Sequence, residues 1–140
     1  MTALDNNIPA SWGITLLRVS LGAMWISHAL LKALVYTLPG AVKFFVSVGL
    51  PGVLVYPVFT AEIIGGLALI LGIYARQASL ALIPIMAVVV WVHFPNGWVH
   101  SSTGGGWEYP AFLIVISLSI WLIGDGALVI RRSDRFTLSH

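Results

Sequence analysis

Residues 52–74 read GVLVYPVFTAEIIGGLALILGIY, a run of 23 residues with one charged side chain, Glu62. As an α-helix this run would extend about 35 Å at 1.5 Å per residue, which is enough to cross the roughly 30 Å hydrocarbon core of a membrane. A carboxylate in the middle of such a helix is costly unless it faces other protein. The stretch therefore predicts a transmembrane helix whose single charge points into a helical bundle.

The composition of the whole chain agrees with a membrane environment. Of 140 residues, 59% are hydrophobic and only 9% are charged, and the mean hydropathy is +0.96. A soluble domain carries about 25% charged residues to cover its surface. The outer surface of this protein must therefore face lipid, and the seven scattered Lys and Arg residues do not form the basic patch that nucleic acid binding needs.

The absence of cysteine limits the chemistry that the chain can perform. It excludes disulfides, thiolate nucleophiles and iron–sulfur ligation by this chain. A redox role would need a bound organic cofactor, a haem held by His, or a partner subunit. The spacing of His and acidic residues predicts no preformed metal site.

Four apolar runs are long enough to span the membrane, and they predict an all-α integral membrane four-helix bundle forming a single domain over residues 1–140. The predicted spans are about 12–36, 52–74, 77–94 and 108–130. Spans two and three are joined by so few residues that they must be antiparallel neighbours. The intervening segment 37–51 is expected to lie along the membrane interface, and 95–107 reads as a flexible loop with interfacial Trp.

Positive charges indicate how the bundle is oriented. The side that holds the chain termini carries Arg76, Arg131, Arg132 and Arg135. The opposite side carries only Lys32 and Lys43. Because positive residues are retained on the cytoplasmic side, we expect both termini in the cytoplasm.

The ionisable residues inside the spans are the candidate functional residues. The helical rise places Arg18 roughly 9 Å from the cytoplasmic boundary, His28 roughly 8 Å from the outer boundary, and Glu62 about 15 Å deep. Arg18, Trp25, His28 and Lys32 fall within an arc of about 80° on the first helix, at 100° per residue. Either Arg18 or His28 could pair with Glu62, whereas Lys32 is expected to reach the outer interface. We predict Glu62 and His28 as a catalytic, proton-moving pair.

The remaining candidates are expected to bind a ligand beside this pair. They are Arg18, Trp25, Lys32, Trp91, His93 and Glu108. The two Trp would supply apolar walls, and His93 and Glu108 would connect the site with the outer aqueous side. The competing interpretations are that Arg18 reaches the cytoplasmic headgroups, that His93 is interfacial, and that Glu108 begins a helix.

The ordered set of motifs resembles the DoxX family of small bacterial membrane proteins. It comprises Leu17-Arg18, Gly22, His28 and Lys32, then Phe45 and Val48-Gly49-Leu50-Pro51, Glu62 with Gly65-Gly66, Leu71-Gly72-Ile73-Tyr74-Ala75-Arg76, the aromatic-His end of the third span, Gly105-Gly106-Trp107-Glu108 and Gly124-Asp125-Gly126. Ala29 departs from the pattern, since many members have Gly after the His.

This resemblance implies a four-helix fold in the bacterial cytoplasmic membrane and a redox setting. Members are subunits of thiosulfate:quinone oxidoreductase or of membrane complexes that handle thiols and oxidative stress. The leading expectation is thus a redox-associated subunit that binds quinone or another small lipophilic molecule in the outer half of the bundle, with a proton relay through Glu62 and His28.

Two other functions compete with quinone binding. One is a haem b held by His28 and His93, which is disfavoured because their depths differ by about 5 Å. The other is a non-enzymatic scaffold or permease-like component that recruits a soluble oxidoreductase, with Arg131, Arg132 and Arg135 contacting the partner or lipid. Since four helices are few for enclosing a pathway, we expect a homo-oligomer.

Overall fold

The computed structural model describes residues 7–134 and 136, and these residues form five α-helices. The helices are α1 (Asn7–Leu30), α2 (Leu38–Ser47), α3 (Val55–Leu71), α4 (Ala75–His93) and α5 (Glu108–Ile123). The prediction of an all-α chain is confirmed for the described residues. Arg135, one of the positive residues expected at the cytoplasmic side, lies outside them.

Three helical stretches are long and apolar enough to cross a membrane. They are Pro9–Val35, Gly52–Leu71 and Ala75–Asn96. Two apolar helices are shorter, α2 with 10 residues and α5 with 16. The structure thus confirms three of the four predicted spans by length and adds α2, within the segment expected at the interface.

The last helix is shorter than predicted because glycine ends it. Its first residue, Glu108, coincides with the predicted start, but the helix ends at Ile123 rather than near residue 130. Gly124 follows with φ +128°, a conformation that only glycine adopts easily. The second predicted span likewise ends early, at Leu71, because Gly72 takes the left-handed conformation at its C-terminus.

The helices surround one core, since α1 packs on α3, α3 on α4, α4 on α5 and α5 on α1. The core contains Leu21, Trp25, Leu69, Ala75, Leu82, Met86, Leu113 and Ile120. Gly65 and Gly66 allow neighbouring helices to approach α3 closely. A Cβ on Gly66 would lie 3.0 Å from the carbonyl oxygen of Gly22 in α1, and one on Gly65 would overlap Leu82 in α4. The close packing that the Gly pair predicted is therefore present on both sides of α3.

Residues 124–134 fold back across the end of the bundle where α1 begins and α3 turns into α4. We call this the sealed end. The Ala127 backbone both donates to and accepts from the Thr15 hydroxyl, and the Arg131 backbone does the same with the backbones of Tyr74 and Gly72. Asp125 accepts hydrogen bonds of 2.8 Å from the backbone and hydroxyl of Ser133. The opposite end of the bundle contains a cavity, and we call it the cavity end.

Candidate functional site

An ion pair between Lys32 and Glu62 lies at the cavity end. The Lys32 Nζ atom is 2.7 Å from both carboxylate oxygens of Glu62. The Glu62 side chain is only 4% exposed and that of Lys32 is 20% exposed. Glu62 thus has a cationic partner from the first helix, but it is Lys32 rather than Arg18 or His28, and Lys32 turns inward instead of reaching the interface.

A local departure from α-helical geometry holds Lys32 in this position. Residues Leu31–Val35 form a π-helical turn at the end of α1, closed by a 3.0 Å hydrogen bond from the Tyr36 amide to the Leu31 carbonyl. Such turns are rare and occur frequently at functional sites. The apolar pattern of residues 31–35 contains no signal from which this turn could be predicted.

A cavity of about 310 Å³ lies beside the ion pair, inside the bundle. Its lining comes from all four core helices and from the loop before α5. The lining residues are Met24, Trp25, His28, Lys32, Glu62, Met86, Val89, His93, His100, Gly105, Gly106, Tyr109, Pro110 and Leu113. Its volume is at the lower end of the 300–1,000 Å³ range of small-molecule sites, and its mostly apolar lining with a few polar groups is typical of them.

Trp25 lines the cavity, and its indole carries a hydrogen-bond donor without a partner in the part of the chain that the structure describes. Trp25 is only 2% exposed, and its Nε1 atom is buried without a hydrogen-bond partner among the described residues. A buried N–H group without an acceptor costs free energy, so most such groups in proteins are paired. An acceptor atom on a ligand in the cavity would satisfy it.

His28 and His93 present basic nitrogens at the same cavity. In each ring Nδ1 contacts the carbonyl oxygen one helical turn earlier, at 2.9 Å to Met24 and 2.8 Å to Val89. A carbonyl oxygen only accepts, so Nδ1 carries the proton, and in the neutral ring Nε2 is free to accept one. In the part of the chain that the structure describes, no group of three or more His, Cys, Asp or Glu residues is placed to hold a metal ion.

The loop between α4 and α5 closes this end of the bundle. The side-chain amide of Asn96 donates to the carbonyls of Gly104 and Gly105, at 3.0 and 2.9 Å. The Trp107 ring stacks on Phe94 and meets the edge of Trp98. The segment expected to be a flexible loop is therefore an ordered turn whose Gly105 packs against the His93 ring.

Glu108 stabilises this loop and does not line the cavity. One of its carboxylate oxygens accepts from the backbone amide of His100 at 2.8 Å and contacts the His100 ring at 2.9 Å. The pair is largely exposed. Of the two predicted roles for Glu108, the structure therefore places it at the start of a helix, beside His100.

Arg18 lies at the sealed end, away from the predicted ligand site. Its side chain is fully buried, and Nη2 donates to the carbonyls of Leu128 at 2.9 Å and Ala127 at 3.4 Å. Arg18 and His28 share a face of α1 but are ten residues apart, about 15 Å along the axis. Arg18 and His28 were the two partners considered for Glu62, and neither pairs with it, since Lys32 does.

Trp91 does not join Trp25 in the wall of the cavity. It is 60% exposed and is absent from the lining, which includes His93. Two residues along an α-helix are about 200° apart around its axis, so Trp91 and His93 point to opposite sides. Trp91 therefore belongs to the outer surface of α4, where apolar side chains face lipid.

Several lining residues escaped the sequence analysis. Met24, Met86, His100 and Tyr109 line the cavity but were not among the predicted site residues. Met24 lies one turn before His28 on the same face of α1, and that spacing is the signal that would have included it. His100 joins the lining only because the ordered loop brings it back to the start of α5, where it contacts Glu108.

These features define a small multi-pass membrane protein whose cavity is lined by both polar and apolar residues, and the comparisons give its family. The sequence model of the DoxX family matches residues 13–95, more than half of the chain, and the chain belongs to this family. It is also similar to a protein of Bacillus subtilis (strain 168) named "Putative oxidoreductase CatD", with 27% identity over 119 residues, covering 84% of each chain. No solved structure matches the chain.

The family match covers most of the polar lining of the cavity. Trp25, His28, Lys32, Glu62 and His93 all lie within residues 13–95. The loop and α5, which complete the cavity, lie beyond the matched residues. The polar groups thus belong to the part of the chain that carries the family signature.

Proposed function

We propose that this protein is a redox-associated membrane subunit that binds a quinone, or a similar small lipophilic molecule with a carbonyl acceptor, in the 310 Å³ cavity. The observation that carries the proposal is the buried, unpaired N–H of Trp25 beside the Lys32–Glu62 ion pair. A quinone offers two carbonyl oxygens on a flat apolar ring. One would accept from Trp25, and the ring would contact the thioether and aliphatic side chains of Met24, Met86 and Leu113.

The ion pair and the His rings would handle the protons that accompany quinone reduction. A bound quinone supplies the electron-accepting chemistry. Lys32 can donate a proton from Nζ, and Glu62 holds that ammonium group in the cavity wall. His28 and His93 can accept and release protons at Nε2. His93 and His100 would connect these groups with the aqueous side through the ordered loop.

Membership of the DoxX family supports the redox setting, as does the name of the Bacillus subtilis relative, which describes an oxidoreductase. We extend the proposal to four membrane spans in the bacterial cytoplasmic membrane, with α5 serving as the fourth. Both termini would then be cytoplasmic, and the cavity would lie in the outer half of the bilayer. An oxidoreductase partner and a homo-oligomer are part of the same proposal.

Binding of a short-chain benzoquinone to the purified protein in detergent tests the proposal. Trp25→Phe keeps an aromatic, though smaller, ring and removes the N–H, so affinity should fall about two- to tenfold, the value of one hydrogen bond of about 0.5–1.5 kcal/mol. Trp91→Phe is the matched control, because Trp91 lies outside the cavity, and should leave affinity unchanged. Equal effects of the two substitutions, or no quinone binding by the wild type, would refute the proposal. A Soret band in freshly purified protein would instead favour the haem alternative.

A further inference from the structure

We propose that the ligand of the cavity is a long-tailed amphiphile whose hydrocarbon tail leaves the bundle between His100 and Tyr109 and lies in a groove on the outer face of α5. This inference rests on the proposed function, because it assigns the tail of the molecule whose ring occupies the cavity. The groove then binds the tail of a lipid-soluble quinone rather than a second copy of the chain.

The groove and the cavity share part of their walls. The groove has a volume of about 810 Å³ and is open along one side. His100 and Tyr109 line both spaces, so these two side chains separate the interior of the bundle from the lipid-facing groove. A ligand that extends between His100 and Tyr109 occupies both.

The groove is polar near the loop and apolar further along α5, which matches an amphiphile with a polar head group and a hydrocarbon tail. Its polar residues, His100 and Glu108, lie at the loop, beside Trp98 and Tyr109, whose amphipathic rings suit the membrane interface. Phe112 and Val115 continue it along α5, three residues apart and therefore on one face of the helix. A tail in the groove runs from the interface along α5 into the hydrocarbon core.

The arrangement explains how a 310 Å³ cavity serves a ligand much larger than a ring. The cavity holds only the head group, with its carbonyls, among the polar groups. The tail stays on the lipid side of α5, so it need not be accommodated in the bundle core. Entry is then lateral, from the bilayer, past the side chains of Tyr109 and His100.

Photocrosslinking with two long-chain alkyl benzoquinones, one carrying a diazirine on the ring and the other near the start of the tail, tests this inference in nanodiscs. The ring probe should label residues of the cavity such as Met24 or Met86, and the tail probe should label Phe112 or Val115. Both signals should disappear when excess unlabelled quinone competes, which separates specific labelling from contact with lipid-dissolved probe.

Substitution in the groove provides the second measurement. Val115→Trp fills the groove and should reduce specific tail labelling several-fold while leaving binding of a tailless benzoquinone unchanged. Ile64→Trp, on the exposed surface of α3, is the matched control and should change neither. Ring labelling in the cavity with competable tail labelling elsewhere would overturn the inference and leave the proposed function intact. Ring labelling outside the cavity would overturn both.

Discussion

The two ends of the bundle both bury ionisable side chains, but they use them differently. At the sealed end, the Arg18 guanidinium donates to backbone carbonyls of the segment after α5. At the cavity end, Lys32 and Glu62 bind each other beside space for a ligand. Of these buried charges, only those at the cavity end face space that a ligand could occupy. The buried charge at the sealed end binds the backbone and so stabilises the fold.

Arg76 supports this distinction at the sealed end. Its guanidinium donates to the carbonyls of Trp121, Leu122 and Ile123, the last residues of α5. The last carbonyls of an α-helix lie beyond its regular hydrogen-bond ladder, so a donor there caps the helix, and a cation also complements the helix dipole. A residue that the sequence analysis used only for orientation thus caps a helix as well.

The largest effect is expected from Arg18→Met. The substitution leaves the Ala127 and Leu128 carbonyls without this charged donor, so the free energy of unfolding should fall by about 3–5 kcal/mol, from two hydrogen bonds to a charged group at roughly 1.5–3 kcal/mol each. Chemical unfolding in detergent, followed by circular dichroism, measures it. Arg132→Met, at an exposed position, is the control and should have little effect. Quinone affinity of the folded Arg18→Met protein should equal that of the wild type, and a selective loss of binding would contradict the division between the two ends.

Lys32→Met should have the next largest effect on stability and the largest on function. It leaves the Glu62 carboxylate buried without a cation, so we expect a loss of about 3 kcal/mol, the lower end for a broken buried pair because Lys32 is partly exposed. The double substitution Lys32→Met with Glu62→Gln should recover part of the stability, since it removes both charges. Quinone binding should remain impaired in both. Additive losses in this double-mutant cycle would show that the ion pair is not formed.

Asn96→Ala should loosen the loop over the cavity. The substitution removes two side-chain hydrogen bonds, so a loss of about 1–3 kcal/mol is expected from the usual value of each. Hydrogen exchange should rise in residues 94–107 and stay unchanged in residues 124–134. Faster exchange at both ends would mean that the two ends unfold together.

Glu108→Gln should have the smallest effect. Its contacts with His100 are exposed to solvent, where such pairs contribute little. Thermal unfolding and benzoquinone affinity should both match the wild type within error. A large loss of affinity would mean that Glu108 contributes to the head-group cavity, although it is not among the lining residues of that cavity.

The features that could be predicted from the sequence are those that a lipid bilayer imposes on the chain. Long apolar runs can only be spans or buried helices, and a carboxylate within one, Glu62, must face protein; both inferences need no knowledge of neighbours. The close approach of neighbouring helices at Gly65 and Gly66 could be predicted in the same way, because small residues allow close helix packing.

What the sequence could not predict depends on contacts distant in the chain. Depth estimates allowed Arg18 or His28 as the partner of Glu62, but the π-helical turn that holds Lys32 leaves no periodic signal. The sealed end was hidden because residues 124–130 are apolar enough to extend a helix, and only the glycine conformations and the Arg76 cap end it. The loop at the cavity end is ordered by Asn96 and by aromatic pairs, which composition alone reads as a flexible segment.

The central claim, that the cavity binds a quinone head group, is tested most directly by an electron-density map of the protein crystallised with a short-chain benzoquinone. The account predicts a flat ring between His28 and Glu62, with one carbonyl oxygen within about 3.2 Å of the Trp25 Nε1 atom and the Lys32–Glu62 pair intact beside it. A ring bound elsewhere, or a cavity closed by repacking of Trp25 and Met86, would contradict it.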